Sequence, residues 1–380
     1  MKEPEETKNP AADAHSLAGM KVISLGELLD KEFPKRKHLI LPWLRQGESA
    51  MVYAAPGVGK SLFALDLALT VAGGGRFLNE WEGPGEGEAW KVLYVDGEMP
   101  LDDIQARAAM IQRGKALTQP GTFDTEKSRK NLRFMARSHQ EIDAPFTDLA
   151  DEGRNDTLLH AIIEDGCNLV ILDNLSTLAE LDDENAANAF NKPVIFLQKL
   201  KSANVACLLV HHTNKQGDAY RGSSKIATTF ETLMMLSAVE NDKEKEQEDD
   251  AATENQQEAQ NTFRIEWHKC RGKRDTRINR GVIATMTTAP DEGGNDVSVW
   301  TCKMRVSGPV YEMLAVLKAG NCASQSELAK VLGVTRGRIT QLKKKAMEMG
   351  LVTQAEFDAC FKQARQRGKK EETEGGSEEF

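Results

Sequence analysis

The stretch AMVYAAPGVGKS, residues 50–61, decides the fold. An apolar, strand-like run meets a glycine-rich turn, and Gly-Lys-Ser opens the helical pattern SLFALDLALTVAG (61–73). Gly57 and Gly59 permit backbone conformations and close approaches that other residues resist. Successive backbone N–H groups and the helix N-terminus then point at one spot, which suits a polyphosphate. The expected ATP-binding residues are Ala55, Pro56, Gly57, Val58, Gly59, Lys60, Ser61 and Leu62. Lys60 would reach the β and γ phosphates, and the Ser61 hydroxyl would hold Mg²⁺. The pattern GxxxxGK[ST] is broken at its first position, where Ala54, the smallest replacement for glycine, stands.

Outward from this turn, short apolar runs alternate with helical patterns. The runs are KVLYVDGE (91–98), LRFMARS (132–138), NLVILDN (168–174), VACLLVHH (205–212) and ETLMMLSAV (231–239). Continuous apolar runs separated by helices, such as NAANAFNKPVIFLQKLKSA (185–203), indicate strands buried on both faces. The fold class is therefore α/β with a mostly parallel central sheet. TFRIEWHK (262–269), GVIATMTT (281–288) and SVWTCKMRV (298–306) read as antiparallel edge strands. The apolar patches between Val22 and Trp43 are expected to pack onto the edge of the domain that follows. The expected organisation is a disordered tail over 1–19, an ATPase domain over 20–306, a helical domain over 308–365 and a charged tail over 366–380. Within the ATPase domain, residues 240–260 are acidic, lack apolar periodicity and are expected to be disordered.

Composition limits the partners. The formal charge is 49 − 58 = −9, so there is no global basic field, and any nucleic-acid contact must be local. Six scattered cysteines with no CxxC pair favour a reducing cytoplasm and argue against a cysteine metal site. No run approaches the roughly 18 apolar residues of a membrane helix, and the polar N-terminus is unlike a secretory signal. The expectation is a cytoplasmic protein without a membrane partner.

Two further strand ends carry carboxylates. Asp173 closes NLVILD, where it would hold a Mg²⁺-bound water beside Ser61. Asp96 and Glu98 close KVLYVDGE, and ligands of open parallel sheets bind outside such strand ends. A strand, then Asp-x-Glu, then a helix resembles RecA-type P-loop ATPases. The likeness is to the hexameric-helicase branch in particular, with its plasmid RepA-type and DnaB-like members. The resemblance covers roughly residues 22–306, and EFPKRKHLILPWLRQGESAMVYAAPGVGKS (32–61) looks like the segment that precedes the first core strand of RepA-like ATPases. It implies that Glu98 is the general base, while Asp96 hydrogen-bonds locally. In LVHHTNK (209–215) it implies that His212 senses the γ-phosphate; His211 reads equally well as a core residue. In QGDAYRGSSK (216–225) and the preceding residue it implies that Lys215, Arg221 and Lys225 touch single-stranded DNA in a central channel. In HKCRGKR (268–274) it implies that Lys269 and Arg271 act in trans, as an arginine finger does. Lys273, Arg274, Arg277 and Arg280 leave open which residue is the finger, and could instead form a DNA-facing patch. The implied assembly is a homo-oligomeric ring, a hexamer.

GPVYEMLAVLKAGNCASQSELAKVLGVTRGRITQLKKKAMEMGLV (308–352) reads as three helices, with Ser324 as an N-cap and Glu327 three residues on. It resembles a winged helix-turn-helix, whose second motif helix lies in the major groove of duplex DNA. Arg336, Arg338, Lys343 and Lys344 are the candidate DNA contacts on that helix. After Val352 the pattern looks helical rather than like a wing hairpin. The sequence thus points to an ATP-hydrolysing DNA helicase or translocase of plasmid or mobile-element replication. A recombinase- or repair-type ATPase and a DNA-binding regulatory ATPase are the alternatives.

Overall fold

In the computed structural model the quoted stretch is strand β1 (Ser49–Ala54), a tight turn and helix α1 (Lys60–Gly73). The structure describes residues 16–17, 20–85, 88, 90–180, 189–214, 219–221, 228–239, 259–272, 278, 281–304, 309–320, 322–348 and 351–374. Most of the expected N-terminal tail, the acidic residues 240–258 and the last six residues lie outside these.

The chain divides into two units, residues 1–37 and 38–380. In the first, the short helix Leu25–Asp30 is closed by a capping box, in which Ser24 and Glu27 each accept the other's backbone N–H. Leu25, Leu29 and Phe33 of this unit are exposed.

The second unit is built on one sheet. After β1 come β2 (Val92–Asp96), helix α2 (Leu101–Thr118), β3 (Leu132–Ala136) and helix α3 (Glu152–Glu164). Then follow β4 (Leu169–Asp173), helix α4 (Asn191–Ser202), β5 (Ala206–His212) and β6 (Thr232–Ala238). The last strands are β7 (Ala259–Cys270), β8 (Val282–Pro290) and β9 (Asp296–Met304). Among the described residues the sheet order is β9-β8-β7-β6-β1-β5-β4-β2-β3. The six strands from β6 to β3 are parallel, and β7, β8 and β9 add on antiparallel, as expected. This is an α/β arrangement with a mostly parallel central sheet, the fold class expected. Alternate residues of β1 feed two cores. Ala50, Val52 and Ala54 pack with α1 on one face, and Met51 and Tyr53 pack with α3 and α4 on the other. Leu39, Ile40, Trp43 and Leu44 join the α1 core, so the apolar strip just before β1 is built into this unit. Gly114 of α2 lies so close to the Ser298 carbonyl of β9 that no Cβ would fit, which brings the antiparallel arm back against α2.

The C-terminal helices are α5 (Pro309–Ala319), α6 (Gln325–Val331), α7 (Arg336–Glu348) and α8 (Gln354–Glu374). They share a core of their own, centred on Met313, Leu328, Ile339 and Phe357. Ser324 caps α6 by accepting the Glu327 N–H. A helix, α8, follows where a wing hairpin would stand, and it runs to Glu374, into the stretch expected as a charged tail. Among the described residues no helix is long and apolar enough to cross a membrane.

Candidate functional site

Strand register assembles the site. Ala54, the last residue of β1, pairs with His212 of β5, and Asp173 of β4 pairs with Asp96 of β2. Four strand ends therefore meet at one edge, under the turn that leads into α1. Gly57 and Gly59 take φ of +79° and +112°, where a side chain would be strained. A Cβ on Gly59 would also press to 3.0 Å from Asn261 Oδ1 and 3.1 Å from the Phe263 ring. The cleft beneath the turn has a volume of about 440 Å³.

Lys60 brings a cation into the cleft, and its ammonium donates to the carbonyls of Ala54 at 3.1 Å and Ala55 at 3.0 Å. Burial pushes its pKa down, against the pull of Asp173 and Glu98. Asp173 is buried, and burial raises its pKa although the Tyr94 and Ser61 hydroxyls donate to it, Tyr94 at 2.6 Å. Asp96 is buried and pushed up to about 6, chiefly by burial. It accepts the backbone N–H groups of Glu98 at 2.8 Å and Met99 at 2.6 Å, so it braces the turn, the local bonding expected of it. That turn carries Glu98 into the cleft, where the Asn174 amide donates to its carboxylate at 2.7 Å. His212 also lines the cleft, half-buried, with its pKa lowered by burial and then by Lys60. Its Nδ1 has no hydrogen-bond partner among the described residues. His211 instead points into the core, fully buried, and donates from Nε2 to the Arg221 carbonyl at 2.8 Å.

The remaining sequence candidates lie elsewhere. Arg221 is exposed, and its backbone N–H donates to the His212 carbonyl, which folds residues 219–221 back onto the end of β5. Lys215 and Lys225 lie outside the described residues, as do Lys273, Arg274, Arg277 and Arg280. Lys269 and Arg271 stand at the opposite edge of the sheet from Lys60. The β7 end that bears them pairs with the start of β6, which pairs with Ala50. From Ala50 to Ala54 is roughly 13 Å along the strand, so these two cations are remote from their own chain's cleft. On α7, Arg336, Arg338 and Lys344 are exposed, while Lys343 turns inward over the Phe357 ring.

The sequence reading missed Tyr94, Asn174, Asn261 and Arg107. Arg107 lines the cleft from α2 and donates to the Met99 sulfur at 3.2 Å. A signal for it exists: it lies between Ile104 and Ile111, both buried, on the inward side of the helix. Asn261 enters from β7, and nothing near it in the sequence announces a phosphate site.

Ser61 and Asp173 offer a hydroxyl and a carboxylate joined by a hydrogen bond, hard oxygen donors of the kind Mg²⁺ takes. Among the described residues no three His, Cys, Asp or Glu side chains gather to hold a metal by themselves. Mg²⁺ at a nucleotide site needs only one or two protein ligands, with waters and phosphates supplying the rest.

Comparison with known proteins adds three findings. The family model described as "AAA domain" matches residues 19–218. A KaiC-like protein from the hyperthermophilic archaeon Pyrococcus horikoshii OT3 has a crystal structure that aligns with a TM-score of 0.41 at 13% identity, over 70% of this chain and 98% of that one. A search of curated proteins finds no match.

Proposed function

Because the chain belongs to the AAA domain family of P-loop ATPases, we propose that it hydrolyses ATP to move along or unwind DNA. It does so as a helicase or translocase of the plasmid RepA type, in a cytoplasmic homo-oligomeric ring, a hexamer by its motifs. The observation that carries this reading is the meeting of Lys60, Asp173, Glu98 and His212 in one cleft under a glycine turn.

Backbone N–H groups of Gly57–Ser61 and the Lys60 ammonium take the phosphates. Ser61 and Asp173 would hold Mg²⁺, which would supply positive charge against that of the phosphates. Glu98, oriented by Asn174, accepts the proton of the attacking water. Arg107 adds a cation within the same subunit. His212 reads the γ-phosphate and passes its loss to residues 219–221, which are bonded to the end of its strand. Lys269 and Arg271, too far from their own cleft, complete the site of a neighbouring subunit. Lys215, Arg221 and Lys225 track single-stranded DNA in the channel, and Arg336, Arg338 and Lys344 face duplex DNA.

The test pairs two substitutions with a strand-displacement assay. Glu98→Gln should bind ATP about as well as the wild type while hydrolysis falls roughly a hundredfold. Lys60→Ala should lose most nucleotide binding. Near-native hydrolysis in a folded Glu98→Gln protein would remove Glu98 as the base. Robust ATPase activity without ATP-dependent displacement would favour a regulatory or recombinase-type ATPase.

A further inference from the structure

Strand β7 breaks its own alternation. Phe263, Ile265 and Trp267 face the α1 core at intervals of two, as a strand requires, but Cys270 returns to that core three residues after Trp267. The pairing with β6 explains the slip. Met234 lies opposite Trp267 and Leu233 opposite Lys269, so His268 has no partner and forms a β-bulge. A bulge re-aims the side chains that follow it. Alternation alone would send Lys269 and Arg271 toward the α1 core with Trp267. The bulge turns both to the other face, where the Arg271 guanidinium lies 3.8 Å from Glu231 and the Lys269 ammonium reaches the Thr228 carbonyl at 3.5 Å.

The bulge is pinned from the phosphate-loop strand. Tyr53 of β1 is buried in the α3/α4 core and reaches past β6. Its hydroxyl and His268 Nδ1 share a hydrogen bond at 2.5 Å, with the rings edge to face. The same phenol ring takes Tyr220 edge-on, at 5.6 Å between centroids. Tyr220 adjoins Arg221, whose backbone is bonded to His211 and His212. One side chain therefore touches both the return of the His212 strand and the strand that carries Lys269 and Arg271.

We propose that Tyr53 and His268 are positioning residues, which hold the bulge that aims Lys269 and Arg271 and tie that aim to the strand end bearing His212. This rests on the reading of Lys269 and Arg271 as a trans finger. Misplacing a catalytic group by an ångström costs up to roughly a hundredfold, so loss of one anchoring hydroxyl should cost less, about tenfold in kcat.

The experiment is steady-state ATP turnover of the full chain at protein concentrations where activity per subunit has levelled off. Tyr53→Phe should lower kcat about tenfold with little change in KM for ATP, the split expected of an interaction made only in the transition state. His268→Ala, at an exposed position, should do the same, and His268→Asn, which keeps both a donor and an acceptor there, should restore most of the rate. Added to Lys269→Ala/Arg271→Ala, Tyr53→Phe should cause no further loss, because residues acting through one another are not additive. Wild-type turnover in both Tyr53→Phe and His268→Ala would overturn the proposal. So would a further loss that multiplies with that of Lys269→Ala/Arg271→Ala, since a merely structural tyrosine gives that result. If Lys269→Ala/Arg271→Ala leaves turnover unchanged, the finger reading fails and the positioning role fails with it. An effect of Arg271→Ala without one of Tyr53→Phe defeats the positioning role only.

Discussion

The sheet domain and the C-terminal helices handle charge in opposite ways. The sheet domain buries Lys60, Asp66, Asp96, Lys115 and Asp173. Among the described residues the C-terminal helices fully bury no charged side chain, and all their described cations but Lys343 stand outside an apolar core. Burying a charge is costly unless it is paired or hydrogen-bonded. Charges inside the first region are therefore held by dedicated partners, and removing a partner should be felt at once. In the second region most are held by solvent and are available to another molecule. The comparison can be broken by substitutions that should matter in one region and not in the other.

The largest expected effect concerns Lys115. Its ammonium lies 3.0 Å from Asp66 Oδ1 and donates to Thr70 Oγ1 at 2.7 Å, wholly inside the α1–α2 packing. Burial pushes Lys115 down and Asp66 up in pKa, each against the pull of the other. Lys115→Met leaves Asp66 without its cation and should cost about 3–5 kcal/mol in urea unfolding. Adding Asp66→Asn keeps an acceptor for the Leu78 N–H, which Asp66 now accepts at 2.7 Å, and should recover much of the loss. A single-variant cost below about 1 kcal/mol, the range of exposed ion pairs, would erase the contrast between the regions.

A smaller effect follows from His211, whose pKa burial lowers from 6.5 to about 4. A base with a depressed folded pKa stays neutral in the fold while the unfolded chain takes up a proton. Its contribution is complete above pH 6.5 and is lost as pH falls through about 4. Between pH 7 and pH 5 this one group should remove about 2 kcal/mol of stability. His211→Gln should flatten that part of the profile, and an unchanged slope between pH 7 and pH 5 would mean that His211 is not the group responsible.

What was legible in the sequence divides along physical lines. The strands rest on contiguous apolar runs; Asp96, Glu98, Asp173 and His212 close such runs, and Lys60 follows one across the glycine turn. A parallel sheet sends all these ends to one edge, so periodicity was enough to gather them. Arg107 and Asn261 reach the cleft from a helix interior and from β7, and their convergence depends on tertiary contacts between distant segments. The bulge at His268 was equally hidden. One unpaired residue reverses which face Lys269 and Arg271 occupy, and neither composition nor alternation reports it. In the C-terminal segment the helices and the Ser324 cap were readable, whereas the split between Lys343 and its neighbour was not.

That split gives the smallest effect and the sharpest contrast. Lys343 is only 14% exposed, with its ammonium 4.6 Å from the centroid of the Phe357 ring and 3.7 Å from Asp358. Lys344 is 80% exposed and lies 3.9 Å from Glu348 one turn on. A half-buried cation over a ring contributes about 0.5–1 kcal/mol, with a little more from its ion pair. Lys343→Ala should therefore weaken the packing of α7 on α8 by about 1 kcal/mol, read as faster hydrogen exchange of their amides in the full chain. Lys344→Ala should leave exchange unchanged, since exposed substitutions of this kind fall within about 0.5 kcal/mol. If these helices bind duplex DNA as proposed, the order there should invert. Each lysine that meets a phosphate adds about one to the slope of log affinity against log salt, so Lys344→Ala should lower the slope by about one. Lys343→Ala should leave the slope alone, because its charge is already taken up by Asp358 and the ring. Equal slopes for both variants would mean that α7 presents a different face to DNA. A loss of slope confined to Lys343→Ala would show that its inward contacts open when duplex binds.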